Sequence, residues 1–291
     1  MNFYLSSGAF RTKSLKEIVS FSVEHGLDRI ELSSGLRHEA NLLQPVRDTN
    51  GVSVNYLVHN YFPPPAKSFV LNLAASKDEI LELSCNLCKT AIDLAVELGA
   101  PFYSVHSGFA VNLSPELLGK PEAQALLPEK AYISYSAAYD RFVETVKSLT
   151  EYAKTKNVKL LIENNVVSPL YLKKHEHNPF LMASPDEIVR FMEDVNDSNL
   201  GLLVDVGHAN VSATALGFDR DEFVEKVSPY ICAFHLSGND GQTDQNLPFD
   251  RDAWFCKFLP SFANLTWVIE AYKLSLEQIN QQHRVLEEIL S

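Results

Sequence analysis

The segment LLVDVGHAN places a carboxylate and an imidazole, Asp205 and His208, directly after a short apolar run. Three other segments have the same form: LLIEN leads to Glu163, CAFHLS to His235, and TWVIEAY to Glu270. Carboxylates and imidazoles are side chains that bind divalent metal ions and transfer protons. One polar residue at one strand end is ordinarily a solvated surface group. Four such strand ends in a single chain instead indicate groups that meet at one site.

An alternation of strands and helices would bring these groups together. Apolar runs of strand length are each followed by a helical stretch, and helix starts are marked by Ser14-Leu-Lys-Glu17, Ser76-Lys-Asp-Glu79 and Ser184-Pro-Asp-Glu187. Eight such repeats without a shift in composition predict one α/β domain over residues 1–291, a (β/α)8 TIM barrel. The active sites of these barrels lie at the carboxyl ends of the strands.

Two further predicted strands, VSVNYLVH and PFYSVH, end in His59 and His106. Either histidine suits a substrate contact, a packed structural residue or a metal ligand. Long loops follow the third, fourth and fifth strands, centred on residues 63–65, 113–130 and 168–178. Because they follow the carboxyl ends of strands, these loops are expected to cover the site and to limit the size of its substrate.

Composition narrows the class of protein. With 46% hydrophobic residues in 291, the chain can bury a large core. The net charge of -12 disfavours nucleic acids and anionic membranes as partners. The four cysteines lack the regular spacing of a disulfide-bonded framework, and the N-terminus does not resemble a signal peptide. No apolar run approaches the ~18 residues that a membrane helix needs. We therefore expect a soluble, cytoplasmic protein with no membrane partner.

Some side chains that could take part in chemistry have simpler explanations, as structural or solvated residues. Cys85-Asn-Leu-Cys88 has redox or zinc spacing, but it lies within a predicted helix and lacks a second pair, which favours a structural role. Basic residues near the expected site would either bind a substrate phosphate or simply be solvated. These residues are Arg37, Lys67, Lys173, Lys174 and Lys273.

The order of these motifs resembles the xylose isomerase-like TIM barrel superfamily. That superfamily joins sugar and sugar-phosphate isomerases and epimerases with AP endonuclease family 2, the endonuclease IV-like enzymes. The resemblance spans nearly the whole chain. The segments that carry it are LVHNYF at His59, VHSG at His106, IENN at Glu163, DVGHAN at Asp205 and His208, HLSGNDGQTDQN from His235, and VIEAY at Glu270.

The resemblance to the isomerases and epimerases implies one divalent ion, Mn²⁺, Zn²⁺, Mg²⁺ or Co²⁺, on Glu163, Asp205, His235 and Glu270. Glu163 and Glu270 would then act as catalytic acid and base in proton transfer next to a carbonyl, through a metal-bound enediolate. His208 would hydrogen-bond the carbonyl end of the sugar. The alternative for the two glutamates is a buried salt-bridge pair that stabilises the barrel.

The resemblance to the endonucleases implies a cluster of three zinc ions, which would also use the positions of His59, His106, His208, Asp244 and Asn246. Those enzymes have histidine where Asn246 stands, and this change removes a strong ligand from the third ion. Epimerases of simple ketoses carry a second acidic residue shortly after the first glutamate, whereas NNVVSPL has none.

The sequence therefore predicts a metal-dependent sugar or sugar-phosphate isomerase or epimerase whose partner is a small-molecule sugar. An endonuclease IV-like phosphodiester hydrolase and a non-catalytic sugar-binding barrel remain alternatives, and a homo-oligomer is left open. A second ion near His59 and His106 is also left open. The residues expected to contact substrate are His59, His106, His208, Asp244 and Asn246.

Overall fold

A computed structural model of the protein describes residues 3–48, 54–117, 120, 126–175 and 177–290. Eight parallel strands close into a barrel in sequence order, and the last strand pairs with the first. The predicted (β/α)8 TIM barrel is confirmed. The strands are β1 Phe3–Ser6, β2 Arg29–Leu32, β3 Asn55–His59, β4 Phe102–His106, β5 Lys159–Glu163, β6 Leu200–Asp205, β7 Ile231–Leu236 and β8 Thr266–Ile269.

Helices follow the strands and pack against the outside of the barrel. A continuous hydrophobic core joins the strands to the buried faces of these helices. The α-helices in the described ranges are Leu15–His25, Gln44–Arg47, Asp78–Leu98, Tyr135–Thr155, Pro169–Leu172, Pro185–Val195, Val206–Leu216, Arg220–Val227 and Leu276–Leu290. In this part of the chain no helix combines the length and the apolar character needed to cross a bilayer.

The helix boundaries agree with the predicted signals at most positions. Ser14 and Ser184 are N-cap residues, although neither hydroxyl makes a capping hydrogen bond. Gly99 ends the helix Asp78–Leu98 in the left-handed conformation, with φ of 68°. The predicted start at Ser76 is wrong, because Lys77 is the N-cap residue and the Ser76 hydroxyl lies 3.5 Å from Asn112 Oδ1 instead.

The segment after β2 is only briefly helical. Gln44–Arg47 forms one short helix, and residues 49–53 lie outside the described ranges. Pro45 lies in the first turn of this short helix, where a backbone N–H would have no hydrogen-bond acceptor within the helix, so proline is tolerated there.

The loops after β3, β4 and β5 pack together above the carboxyl ends of the strands, an end that we call the mouth of the barrel. Their apolar side chains form a second, smaller cluster, separate from the barrel core. Phe109 and Phe180 pair as an isolated antiparallel bridge, and the N–H of Ala110 donates to the carbonyl of Pro179 over 2.6 Å. Parts of two predicted loops, 118–119, 121–125 and 176, lie outside the described residues.

Candidate metal centre

Four strand ends bring the predicted ligands to one point. Glu163 and Asp205 are the last residues of β5 and β6, His235 is the second-to-last residue of β7, and Glu270 directly follows β8. All four are buried, and one ligand atom from each lies within 4.8 Å of the others. The structure thus assembles the group that the sequence predicted, which we call the four-residue group.

Glu163 also belongs to a second cluster. Its Oε2 lies 3.3 Å from His59 Nε2 and 3.2 Å from His106 Nε2, while its Oε1 lies 3.6 Å from His235 Nδ1. The candidate ligand atoms of His59, His106 and Glu163 are again within 4.8 Å of one another. One carboxylate is therefore shared by two adjacent groups, an arrangement that fits two neighbouring divalent ions.

Several buried polar atoms in the four-residue group have no hydrogen-bond partner. They are both carboxylate oxygens of Glu163, Oδ2 of Asp205 and Nδ1 of His235. Buried polar groups in folded proteins are nearly always paired, and an unpaired one costs about 1–3 kcal/mol. A divalent cation would give these atoms a partner, because such ions bind carboxylate oxygens and imidazole nitrogens. The residues present consequently fit a metal ion.

The ring of His235 is oriented by a residue that the sequence analysis missed. Its Nε2 lies 3.0 Å from Oε2 of Glu31, a fully buried residue of β2. Its Nδ1 lies 2.9 Å from Glu270 Oε2, but without the alignment of a hydrogen bond. A carboxylate on the far nitrogen is the usual support of a metal-binding histidine. The only indication of Glu31 in the sequence was that it is the one acidic residue in the short strand RIEL.

The two glutamates of the four-residue group are held in their ionised forms. Burial raises the pKa of the Glu163 carboxyl, but His106, His235 and His59 outweigh it and hold that pKa well below its usual range. Burial acts likewise on Glu270, whose pKa is nevertheless lowered to about 2, mainly by His235. Two carboxylates that stay ionised can bind a cation and can accept a proton.

The surrounding histidines divide into two types. Burial lowers the pKa of His59 to about 3 and also lowers the pKa of His106, so both imidazoles are neutral and suited to metal binding. Burial opposes the charged form of His235 and His208 as well. There, however, nearby carboxylates, led by Glu31 for His235 and Asp205 for His208, raise the pKa well above its usual value.

Asp205 connects the four-residue group to the next segment. Its Oδ1 accepts a hydrogen bond from the backbone N–H of His208 over 2.7 Å and caps the helix Val206–Leu216. His208 Nε2 lies 3.4 Å from Asp244 Oδ2, and Asn246 Nδ2 donates to that same oxygen over 3.1 Å. The amide group of Asn246 therefore directs hydrogens at Asp244.

A cleft of about 700 Å³ opens beside these residues at the mouth of the barrel. His106, His208 and Asp244, all expected to contact substrate, line it. His59 and Asn246 are buried and are not among its lining residues. Loops after β3, β4 and β5 contribute to the lining, whereas the prolines at 63–65 line a separate cavity.

The fold and the site together define a class of protein. A family model described as xylose isomerase-like TIM barrel matches residues 19–287. The chain belongs to this xylose isomerase-like TIM barrel family.

Individual relatives differ in the activities that their names give. An uncharacterised protein of Methanocaldococcus jannaschii is 25% identical over 255 residues, which are 85% of this chain and 74% of that protein. A probable endonuclease 4 of Thermoplasma volcanium is 26% identical over 195 residues, 63% of this chain and about half, 54%, of that protein. The crystal structure of a D-tagatose 3-epimerase-like protein has a TM-score of 0.71 at 22% identity, and the match covers 100% of this chain and 97% of that one.

Proposed function

We propose that the protein is a divalent-metal-dependent sugar isomerase or epimerase that works in the cytoplasm. One observation carries the proposal: Glu163 and Glu270 direct carboxylate oxygens into a single buried group with Asp205 and His235, beside a cleft that opens to solvent. Proton transfer next to a carbonyl requires a base, an acid and a positive charge near the developing oxyanion. This group has the residues for all three.

The metal would be held by Glu163, Asp205, His235 and Glu270, and a second ion by His59 and His106 with Glu163 as the shared ligand. A bound divalent ion supplies a positive charge that makes the hydrogen on the carbon next to a carbonyl more acidic. The ligand set of carboxylates and imidazoles suits Mn²⁺, Mg²⁺, Co²⁺ and Zn²⁺ alike.

Side chains of the protein itself carry out the proton transfer and bind the substrate. Glu163 or Glu270, both ionised at rest, removes the proton from the substrate carbon, and the other glutamate returns a proton after it has taken one up. His208 borders the cleft and is protonated beside Asp205 and Asp244, so it donates a hydrogen bond to the carbonyl end of the sugar. Asp244, which also lines the cleft, accepts from a sugar hydroxyl.

A second candidate function is metal-dependent cleavage of a phosphodiester. The shared carboxylate of Glu163 between two groups favours it, and so does the similarity to a probable endonuclease 4. A third ion would need a ligand at 246, where an amide stands with its hydrogens directed at Asp244. The net charge of -12 also provides little attraction for a phosphate backbone. We therefore rank this function second and a non-catalytic sugar-binding barrel third.

Two assays on one metal-loaded preparation separate these functions. The first follows uptake of solvent deuterium at the carbon next to the carbonyl in a panel of ketoses and ketose phosphates. The second follows nicking of a DNA duplex that contains an abasic site. We expect deuterium uptake by the wild type, at least a hundredfold less in Glu163→Gln or Glu270→Gln, and no nicking.

The control is Glu144→Gln, which removes an exposed carboxylate of the helix Tyr135–Thr155 and should leave uptake unchanged. Metal-dependent nicking without uptake in any sugar would replace the proposal with the endonuclease function. Sugar binding with neither reaction would establish the non-catalytic barrel.

A further inference from the structure

The cleft beside the metal centre is lined by two chemically different sets of side chains, among other residues. His106, His208 and Asp244 are its ionisable residues, and we call them its polar end because both histidines contact Glu163 of the four-residue group. An apolar set comes from the loops after β3, β4 and β5, and we call it the apolar wall. Its members are Tyr61, Phe69, Leu71, Phe109, Leu113 and Phe180.

The apolar wall is fixed by contacts among its own residues. The backbone N–H of Phe69 donates to the Tyr61 hydroxyl over 2.8 Å, and the centres of the two rings are 5.4 Å apart. The rings of Phe109 and Phe180 are 6.3 Å apart, and their backbones form the antiparallel bridge between two loops. A preformed apolar surface beside polar groups is the usual form of a small-molecule site.

Among the residues that the structure describes, none that lines the cleft is a lysine or arginine that could bind an anionic ligand. Within the described ranges, its only basic lining residues are the imidazoles of His106 and His208, and Asp244 adds a carboxylate. Arg37 and Lys67, which the sequence suggested for a phosphate, are exposed and lie outside the lining, as do Lys173, Lys174 and Lys273. Phosphate groups are normally bound by arginine, lysine or several backbone N–H groups. The lining therefore suits an uncharged ligand.

We infer that the substrate is an uncharged sugar that has both a free carbonyl and an apolar or aromatic substituent, such as a glycoside with an apolar aglycone whose sugar ring bears a ketone. This inference rests on the proposed function, because it places the reacting sugar at the polar end of the cleft. The substituent then lies against the apolar wall. A small unsubstituted ketose would leave that wall exposed to water, and a sugar phosphate would place an anion against an apolar wall to which the described residues add no lysine or arginine.

Calorimetric titration of the metal-loaded protein tests the inference with three kinds of probe: matched phenyl and methyl β-glycosides of D-glucose and D-galactose, and D-glucose 6-phosphate. For at least one sugar we expect the phenyl glycoside to bind about tenfold more tightly than the methyl glycoside, because the phenyl ring is buried. We expect glucose 6-phosphate to bind no more tightly than methyl glucoside.

Two variants test whether the apolar wall is the source of the tighter binding of the phenyl glycoside. Phe69→Ala and Leu113→Ala each shorten a half-buried side chain of the apolar wall. Each should reduce the preference for phenyl over methyl at least about threefold, with little change for the methyl glycoside. Phe258→Ala shortens a half-buried ring outside the cleft and should leave the preference intact. Unchanged melting temperatures would show that each variant folds.

Equal affinity for phenyl and methyl glycosides, no binding of any phenyl glycoside at millimolar concentration, or tighter binding of glucose 6-phosphate would overturn the inference. So would a phenyl preference that survives both wall variants. The proposed function fails separately. Deuterium uptake without a phenyl preference removes only the inference, whereas a wall-dependent preference without uptake in any sugar removes the isomerase function and leaves the apolar subsite.

Discussion

Oε2 of Glu31 lies 3.0 Å from Nε2 of His235, and both side chains are fully buried. Glu31 is in β2 and His235 is in β7, so the contact crosses the interior of the barrel. A hydrogen on Nε2 of His235 that is donated to Glu31 leaves Nδ1 of that ring free for a metal. Glu31 thus has the location expected of a residue that positions His235 behind the candidate metal centre.

We predict that Glu31→Gln weakens metal binding about 10–100-fold, because the neutral amide no longer fixes the ring of His235 or adds to its basicity. Glutamine keeps the shape of the side chain, so the barrel should remain folded. Calorimetric titration of chelator-treated protein with Zn²⁺ measures the effect, with Glu144→Gln as control. Unchanged affinity would mean that Glu31 does not support the ligand.

Metal binding should release protons. In the metal-free protein the two ring nitrogens of His235 lie within 3.0 Å and 2.9 Å of Glu31 and Glu270, which favours the doubly protonated imidazolium and raises the pKa of His235. A metal at Nδ1 displaces one of these protons, so we expect at least about one proton released per ion at pH 7 and tighter binding as the pH rises. Titrations in buffers of different ionisation enthalpy count the protons. Identical heats in all buffers would refute this prediction.

The side chain at 246 should decide how many ions bind. His208 Nε2 and Asn246 Nδ2 both contact Oδ2 of Asp244, but the amide is a weak zinc ligand. Wild-type protein should therefore hold at most about two zinc ions per chain, and Asn246→His should bind about one more. Elemental analysis after gel filtration gives the count. Three zinc ions on the wild type would instead support the endonuclease function.

Close contact between two loops depends on Gly108. A Cβ at this position would lie 2.6 Å from the Cβ of Ala74 and 3.0 Å from its backbone nitrogen. We predict that Gly108→Ala lowers the free energy of unfolding by about 1–3 kcal/mol, because the loops after β3 and β4 must separate. Denaturant titration measures the loss. Adding Ala74→Gly should recover part of it, and full stability of the single variant would show that the loops adjust freely.

The sequence was sufficient for the fold and for the grouping of the four side chains at strand ends. Asp205 and His235 were predictable because parallel strands in a barrel bring their carboxyl ends together, and each strand had an apolar run that marked its end. Glu31 was not predictable in this way, since no long apolar run precedes it in the strand RIEL and it contacts the site only through His235. The separation of His59 from the cleft also depends on loop packing, which periodicity does not describe.

The most direct test of the proposed metal centre is the number of Mn²⁺ ions that chelator-treated protein binds, compared with the number bound by Asp205→Asn. Asparagine keeps an oxygen that can cap the helix Val206–Leu216, but it cannot ionise as Asp205 would to bind a metal. We predict at least about one tightly bound ion per wild-type chain and none, or at least about a hundredfold weaker binding, in the variant. A wild-type protein that binds no divalent ion tightly, or a variant that binds as tightly as the wild type, would contradict this prediction.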